Sequence, residues 1–117
     1  MTEITKYSSL ADRHVLITGG ASGIGASIVE HFVAQDSKVT FLDVDDRSGE
    51  ALKSSLRERY SNPNVFYQHC DLRDIKALRE AIDKAVDRFG AVRCLINNAA
   101  KDDRHGLDEV TPEFWDN

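Results

Sequence analysis

No stretch of this 117-residue sequence stays apolar long enough to cross a bilayer. Positive charge is also in short supply. Fifteen Lys and Arg stand against 20 Asp and Glu, a formal net charge of −5, with both signs scattered along the chain. Nucleic acid and anionic membrane surfaces each favour a basic patch, so neither is an expected partner. Residues 1–11 are polar and lack the apolar run of a secretory signal, which makes the cytoplasm the expected compartment. Four histidines (His14, His31, His69, His105) show no metal-ligand spacing, and no metal site is expected. Against these absences stand 41% hydrophobic and 30% charged residues, the balance of a globular chain and not of a disordered one. A single domain covering 1–117, with a real core, is expected.

Short β-rich runs alternate with longer segments of helical period, the pattern of βαβ units around a parallel sheet. Strands are expected at 14–18, 38–43, 64–70 and 92–97, and helices at 23–35, 46–60 and 74–89, with a fourth beginning after Thr111. In the first helix Ile24, Ile28 and Phe32 recur at i, i+4 and i+8 and predict a buried face. In the third, Ile75, Leu78, Ile82, Ala85 or Val86, and Phe89 form an apolar face, with Asp74 as N-cap and Gly90 after the end. Ser61-Asn62-Pro63-Asn64 reads as a turn. Thr111 and Pro112 read as the start of the fourth helix, where Phe114 and Trp115 have packing roles. Right-handed crossovers make this a doubly wound, Rossmann-type α/β half-sheet of order 3-2-1-4. In that order Cys70 and Cys94 lie three strand spacings apart, roughly 14 Å. A disulfide cannot span that gap, so both are expected to be core thiols.

The apolar run Val15-Leu16-Ile17 leads into Thr18-Gly19-Gly20-Ala21-Ser22-Gly23-Ile24-Gly25, which opens the first helix. A strand, a glycine-rich turn and a helix make a device for holding a pyrophosphate. Glycines let the backbone N–H groups approach an anion without an intervening Cβ, and the helix aims its positive end there. Asp43 ends the second strand, 18 residues after Gly25. An acid at that place can accept from both adenosine ribose hydroxyls, and it repels a 2′-phosphate. Two unit charges 4 Å apart at an effective dielectric of 20 repel by about 4 kcal/mol. The alternative for Asp43 is a plain strand-end turn residue.

The spacing T-G-x-x-x-G-x-G resembles the cofactor loop of the short-chain dehydrogenase/reductase family, and the resemblance runs through the whole chain. It implies a dinucleotide cofactor held by Gly19, Ser22, Gly23, Ile24 and Gly25. NADP-binding members usually carry a basic residue just after the second-strand acid or just before the second glycine; here Val44 and Ser22 occupy those places, which favours NAD. Arg47 dissents, unless it is a solvated side chain at a helix start. The resemblance assigns Asp71 to the exocyclic amine of adenine and Leu72 to the ring face, although an Asp in a βα loop is also a common helix cap. Asn97-Asn98-Ala99-Ala100 resembles the family's N-N-A-G, with Asn98, Ala99 and Ala100 beside the nicotinamide ribose. Lys101-Asp102-Asp103-Arg104-His105 resembles the matching loop of bacterial galactose- or xylose-type sugar 1-dehydrogenases. Asp103, Arg104 and His105 then become substrate residues, because a site built to bond hydroxyls discriminates well. A solvated charged loop explains the same residues equally.

The family's acid–base chemistry needs a tyrosine with a lysine four residues later, the cation lowering the phenol's pKa. No such pair exists: Tyr7, Tyr60 and Tyr67 are followed at that spacing by Ala11, Asn64 and Asp71. No catalytic residue is therefore assigned, and the chain is expected to be the cofactor-binding part of a longer enzyme. That enzyme would move a hydride between an alcohol, a sugar by preference, and NAD, and the resemblance implies a homo-oligomeric parent, dimer or tetramer. A 3-oxoacyl compound or another polar ketone is the alternative substrate class. A nucleotide-binding module without turnover, or a non-catalytic fragment, is the alternative function.

Overall fold

A computed structural model describes residues 8–21 and 23–98. After a 3-10 turn at Ser8–Leu10 come β1 (His14–Thr18), α1 (Gly23–Ala34), β2 (Lys38–Asp43), α2 (Asp46–Tyr60), β3 (Val65–His69), α3 (Ile75–Phe89) and β4 (Cys94–Asn97). The four strands form one parallel sheet in the order β3-β2-β1-β4, as the alternating pattern predicts. Leu16 pairs in register with Thr40 on one side and Leu95 on the other. Every residue of β1 is buried, as expected for a central strand covered on both faces.

Two apolar clusters fill those faces. Val15, Ile17, Val39, Phe41, Val65 and Tyr67 pack with Val29 and Val33 of α1 and Leu56 of α2. Leu16, Leu42 and Cys70 pack with Leu78, Ala81 and Ala85 of α3 on the other side. Period-2 alternation sends successive residues of each strand to opposite clusters.

The structure corrects several expectations in detail. The buried residues of α1 are Gly25, Val29 and Val33 with Ala34, whereas Ile24 is 75% exposed. Ile28 and Phe32 pack only at the cluster margin. The α3 face is centred on Leu78, Ala81 and Ala85, and both Ile75 and Val86 are 38% exposed. α1 therefore turns Gly25 and its valines to the sheet, and α3 turns the expected Leu78 and Ala85 together with Ala81. The outer strands are shorter than 64–70 and 92–97, but flanking residues still contribute to the ladder. The Asn64 carbonyl accepts from Val39 N–H, Cys70 N–H donates to the Asp43 carbonyl, and Arg93 N–H donates to the His14 carbonyl. Cys70 and Cys94 are free; Cys70 is buried and Cys94 half-buried, and they belong to opposite faces of the sheet. Burial, with Asp71 and Asp74 nearby, pushes the Cys70 thiol up to about 11, which leaves it protonated and unreactive at neutral pH. The expected fourth helix lies outside the described residues.

Candidate functional site

Parallel strands deliver their C-terminal ends to one edge of the sheet, and the loops along that edge follow strand order: Asp71 after β3, Asp43 at the end of β2, the glycine turn after β1, and Asn97-Asn98 at β4. Four segments far apart in sequence thus share one edge of the sheet.

At its centre the chain leaves β1 through Gly19, whose φ of 71° favours glycine. The N–H groups of Gly19 and Gly20 donate to the Leu42 carbonyl, which fixes the turn against β2. Gly25 is required by space and not by torsion. A Cβ there would sit 1.9 Å from the Gly19 carbonyl oxygen and 2.7 Å from Asn98 Nδ2. Asn98 Nδ2 donates to that same carbonyl at 3.0 Å, so β1, α1 and the end of β4 meet around a single oxygen. Thr18 Oγ1 donates to Asn97 Oδ1 at 2.9 Å and makes a second tie between the same loops.

Past this knot α1 begins. Its first N–H groups have no intrahelical acceptors. Asp45 and Asp74 cap α2 and α3, accepting from Ser48 N–H and Ala77 N–H, and α1 has no acid in its first turn. The positive end of its dipole favours an anion. Gly23, with φ of 60°, has nothing within 4 Å of where a Cβ would be. The turn is glycine-lined and open at Gly23. It fits a pyrophosphate.

The Asp43 carboxylate reaches this turn from β2. One oxygen accepts from Ala21 N–H at 3.0 Å, and the other from Val44 N–H at 2.7 Å and Asp45 N–H at 3.2 Å. Oδ2, which accepts once, still has capacity for a ligand hydroxyl, whereas Oδ1 already accepts twice. Val44 beside it is 56% exposed. Asp71 carries a fork of hydrogen bonds from Arg73: Nε and Nη2 donate at 3.1 Å and the backbone N–H at 3.0 Å, which holds the carboxyl below its usual range. Leu72 is half-buried against the α3-side cluster.

Gly19, Gly23, Ile24, Gly25, Asp43, Asp71, Leu72 and Asn98 therefore all lie on this edge or on the elements that leave it. Ser22, Ala99, Ala100, Asp103, Arg104 and His105 lie outside the described residues. Sequence reasoning missed Tyr67, Asp46 and His69, which meet just behind Asp43. Tyr67 Oη lies 2.6 Å from Asp46 Oδ1, and His69 Nδ1 lies 2.8 Å from the same oxygen. The i, i+2 spacing of Tyr67 and His69 on a strand was the available signal.

Residues 13–117 match the family model described as short chain dehydrogenase. The chain belongs to the short-chain dehydrogenase family. It is 46% identical over 112 residues to the "probable galactose dehydrogenase" of Rhizobium meliloti, covering 96% of this chain and 43% of that protein. It is 42% identical over 110 residues to the D-xylose 1-dehydrogenase of Caulobacter vibrioides, covering 94% of this chain and 42% of that one. Among solved structures, a variant of a Serratia marcescens short-chain dehydrogenase/reductase superposes with a TM-score of 0.71 at 31% identity, covering 77% of this chain and 36% of the other. The chain thus spans about two-fifths of the length of these curated relatives. The oxidoreductase family and the Rossmann-type sheet expected from the sequence both stand. Among the described residues no helix is long and apolar enough to cross a membrane.

Proposed function

We propose that this chain is the NAD-binding part of a dehydrogenase that transfers a hydride between an alcohol carbon, by preference a sugar's, and the nicotinamide. The observation that carries the reading is the Asp43 carboxylate bound to Ala21 N–H, which puts a fixed negative charge against the glycine turn. When bound, the dinucleotide supplies the hydride acceptor. Gly19, Ser22, Gly23, Ile24 and Gly25 would seat the pyrophosphate and its approach to the nicotinamide. Asp43 would take the ribose hydroxyls, Asp71 and Leu72 the adenine, and Asn98, Ala99 and Ala100 the nicotinamide ribose. Asp103, Arg104 and His105 would bond the substrate's hydroxyls. The names of the two bacterial relatives, galactose dehydrogenase and D-xylose 1-dehydrogenase, support an aldose. The parent is proposed to be a homo-oligomer in the cytoplasm.

The test is steady-state kinetics of the full-length protein with both cofactors and with aldoses, simple secondary alcohols and 3-oxoacyl compounds. We expect kcat/KM to favour NAD over NADP by at least about tenfold, well within the roughly 4 kcal/mol of available repulsion. Asp43→Ala should narrow that ratio, by weakening the NAD contact and removing the repulsion together. Equal or better use of NADP by the wild type overturns the cofactor assignment, and activity confined to acyl substrates overturns the sugar. The alternative is a nucleotide-binding module without turnover. The reading frame beyond Asn117 separates the two, since a continuing frame with a serine and that motif supports the enzyme.

A further inference from the structure

Asp43 owes its position to the turn on which it sits, and that turn is held from β3. Asp46, the first residue of α2, turns its carboxylate back to the sheet, where Oδ1 meets Tyr67 Oη at 2.6 Å. The ring of Tyr67 is almost fully buried, and α2 comes down on it through Gly49, where a Cβ would lie 2.4 Å from a ring carbon. The helix start thus approaches β3 as closely as a residue without a side chain permits. The Tyr67 hydroxyl is also 3.0 Å from the Asp43 carbonyl, which already accepts from Cys70 N–H at 2.9 Å. One hydroxyl proton cannot serve both acceptors, and it goes to the nearer, charged Asp46.

Packing alone does not require this tyrosine. Tyr67 pairs with Phe41 of β2 and shares its cluster with Val39, Leu56 and Val65, and phenylalanine would fill the same space. The hydroxyl reaches the underside of the turn whose other face presents Asp43 to the glycine loop. Burial and the surrounding carboxylates of Asp46, Asp43 and Asp45 push the Tyr67 pKa upward, so the phenol remains a donor at every working pH.

We infer that Tyr67 and Asp46 are positioning residues for cofactor selectivity: their hydrogen bond fixes the β2–α2 turn so that the Asp43 carboxylate meets the adenosine ribose. The inference rests on the reading of Asp43 as the ribose-binding acid. A loosened turn lets that carboxylate drift, which costs the dinucleotide carrying ribose hydroxyls more than the one carrying a 2′-phosphate.

Isothermal titration of NADH and NADPH into the full-length protein tests it, with melting temperatures recorded for each variant. Tyr67→Phe and Asp46→Ala should each weaken NADH by about threefold to tenfold, the size of one lost hydrogen bond, and change NADPH by less than about twofold. Asp46→Asn keeps a carbonyl acceptor for the phenol and should recover most of the NADH affinity that Asp46→Ala loses. Equal weakening of both dinucleotides, in step with a lowered melting temperature, would show a merely structural role and overturn the inference. So would wild-type binding by Tyr67→Phe and Asp46→Ala while Asp43→Ala weakens NADH. If Asp43→Ala itself leaves the preference unchanged, the ribose reading falls first and this inference with it.

Discussion

His14 opens β1 as a buried imidazole with both nitrogens engaged, Nδ1 2.8 Å from the Gly90 carbonyl and Nε2 2.8 Å from Thr40 Oγ1. A carbonyl only accepts, so Nδ1 carries the proton, and Nε2 accepts from the threonine hydroxyl. The ring is neutral, and burial holds its pKa below the usual 6.5. The unfolded chain therefore takes up a proton near pH 6.5 that the folded chain refuses until lower pH. Stability is fully present above that pH and should fall as pH drops through the folded value. Urea denaturation between pH 5 and 7.5 should show this slope, and His14→Gln should flatten it. An unchanged slope in the variant would show that another group carries it. In the sequence His14 is only a histidine without metal-ligand spacing. Its partners at positions 40 and 90 are distant along the chain, and only the sheet brings them to it. Asp43 was more legible, because a strand end a fixed distance after the glycine turn is a local property. The Tyr67–Asp46 bond was not, because it depends on how closely α2 settles on β3.

Among the elements, period and caps were readable and the rotation of α1 was not. The bounds of β1, β2 and α2 coincide with those expected, and Asp74 and Gly90 flank α3 as their chemistry requires. The apolar face of α1 was misplaced by a residue because large side chains dominate a hydrophobic pattern, whereas in α3 the expected Leu78 and Ala85 are buried and Ala81 is the addition. Depth in a helix–sheet interface is set by the small ones: Gly25 beneath Asn98, and Ala81 and Ala85 over Leu16 and Leu42. Ile24 and Val29 distinguish the two rotations of α1. Val29→Ala should cost about 2 kcal/mol by removing buried methyls from the sheet-facing cluster. Ile24→Ser, at an exposed position, should stay within about 0.5 kcal/mol. Thermal or chemical unfolding of the two variants measures both, and comparable losses would return Ile24 to the core.

For the molecule as a whole, β4 is the outer strand beside β1 among the described residues, and Cys94, Leu95 and Ile96 are only half-buried. An apolar strand with one paired edge is prone to pairing with a copy of itself. Residues 1–117 expressed alone should therefore self-associate in sedimentation, and without a Y-x-x-x-K pair they should not reduce NAD with any alcohol. A monomer with measurable turnover would contradict both expectations. The strand–glycine–helix order, the parallel sheet and the acid after β2 were determined by the sequence alone. Each depends on residues near one another in the chain, where periodicity, turn chemistry and capping act. Tertiary structure alone decided which face of α1 is buried, how Asn98 and Gly25 share the Gly19 carbonyl, and why a tyrosine lies under the turn that carries Asp43. Those contacts join residues up to 79 positions apart. Their geometry follows from how closely backbones can pack, and a one-dimensional pattern does not record that.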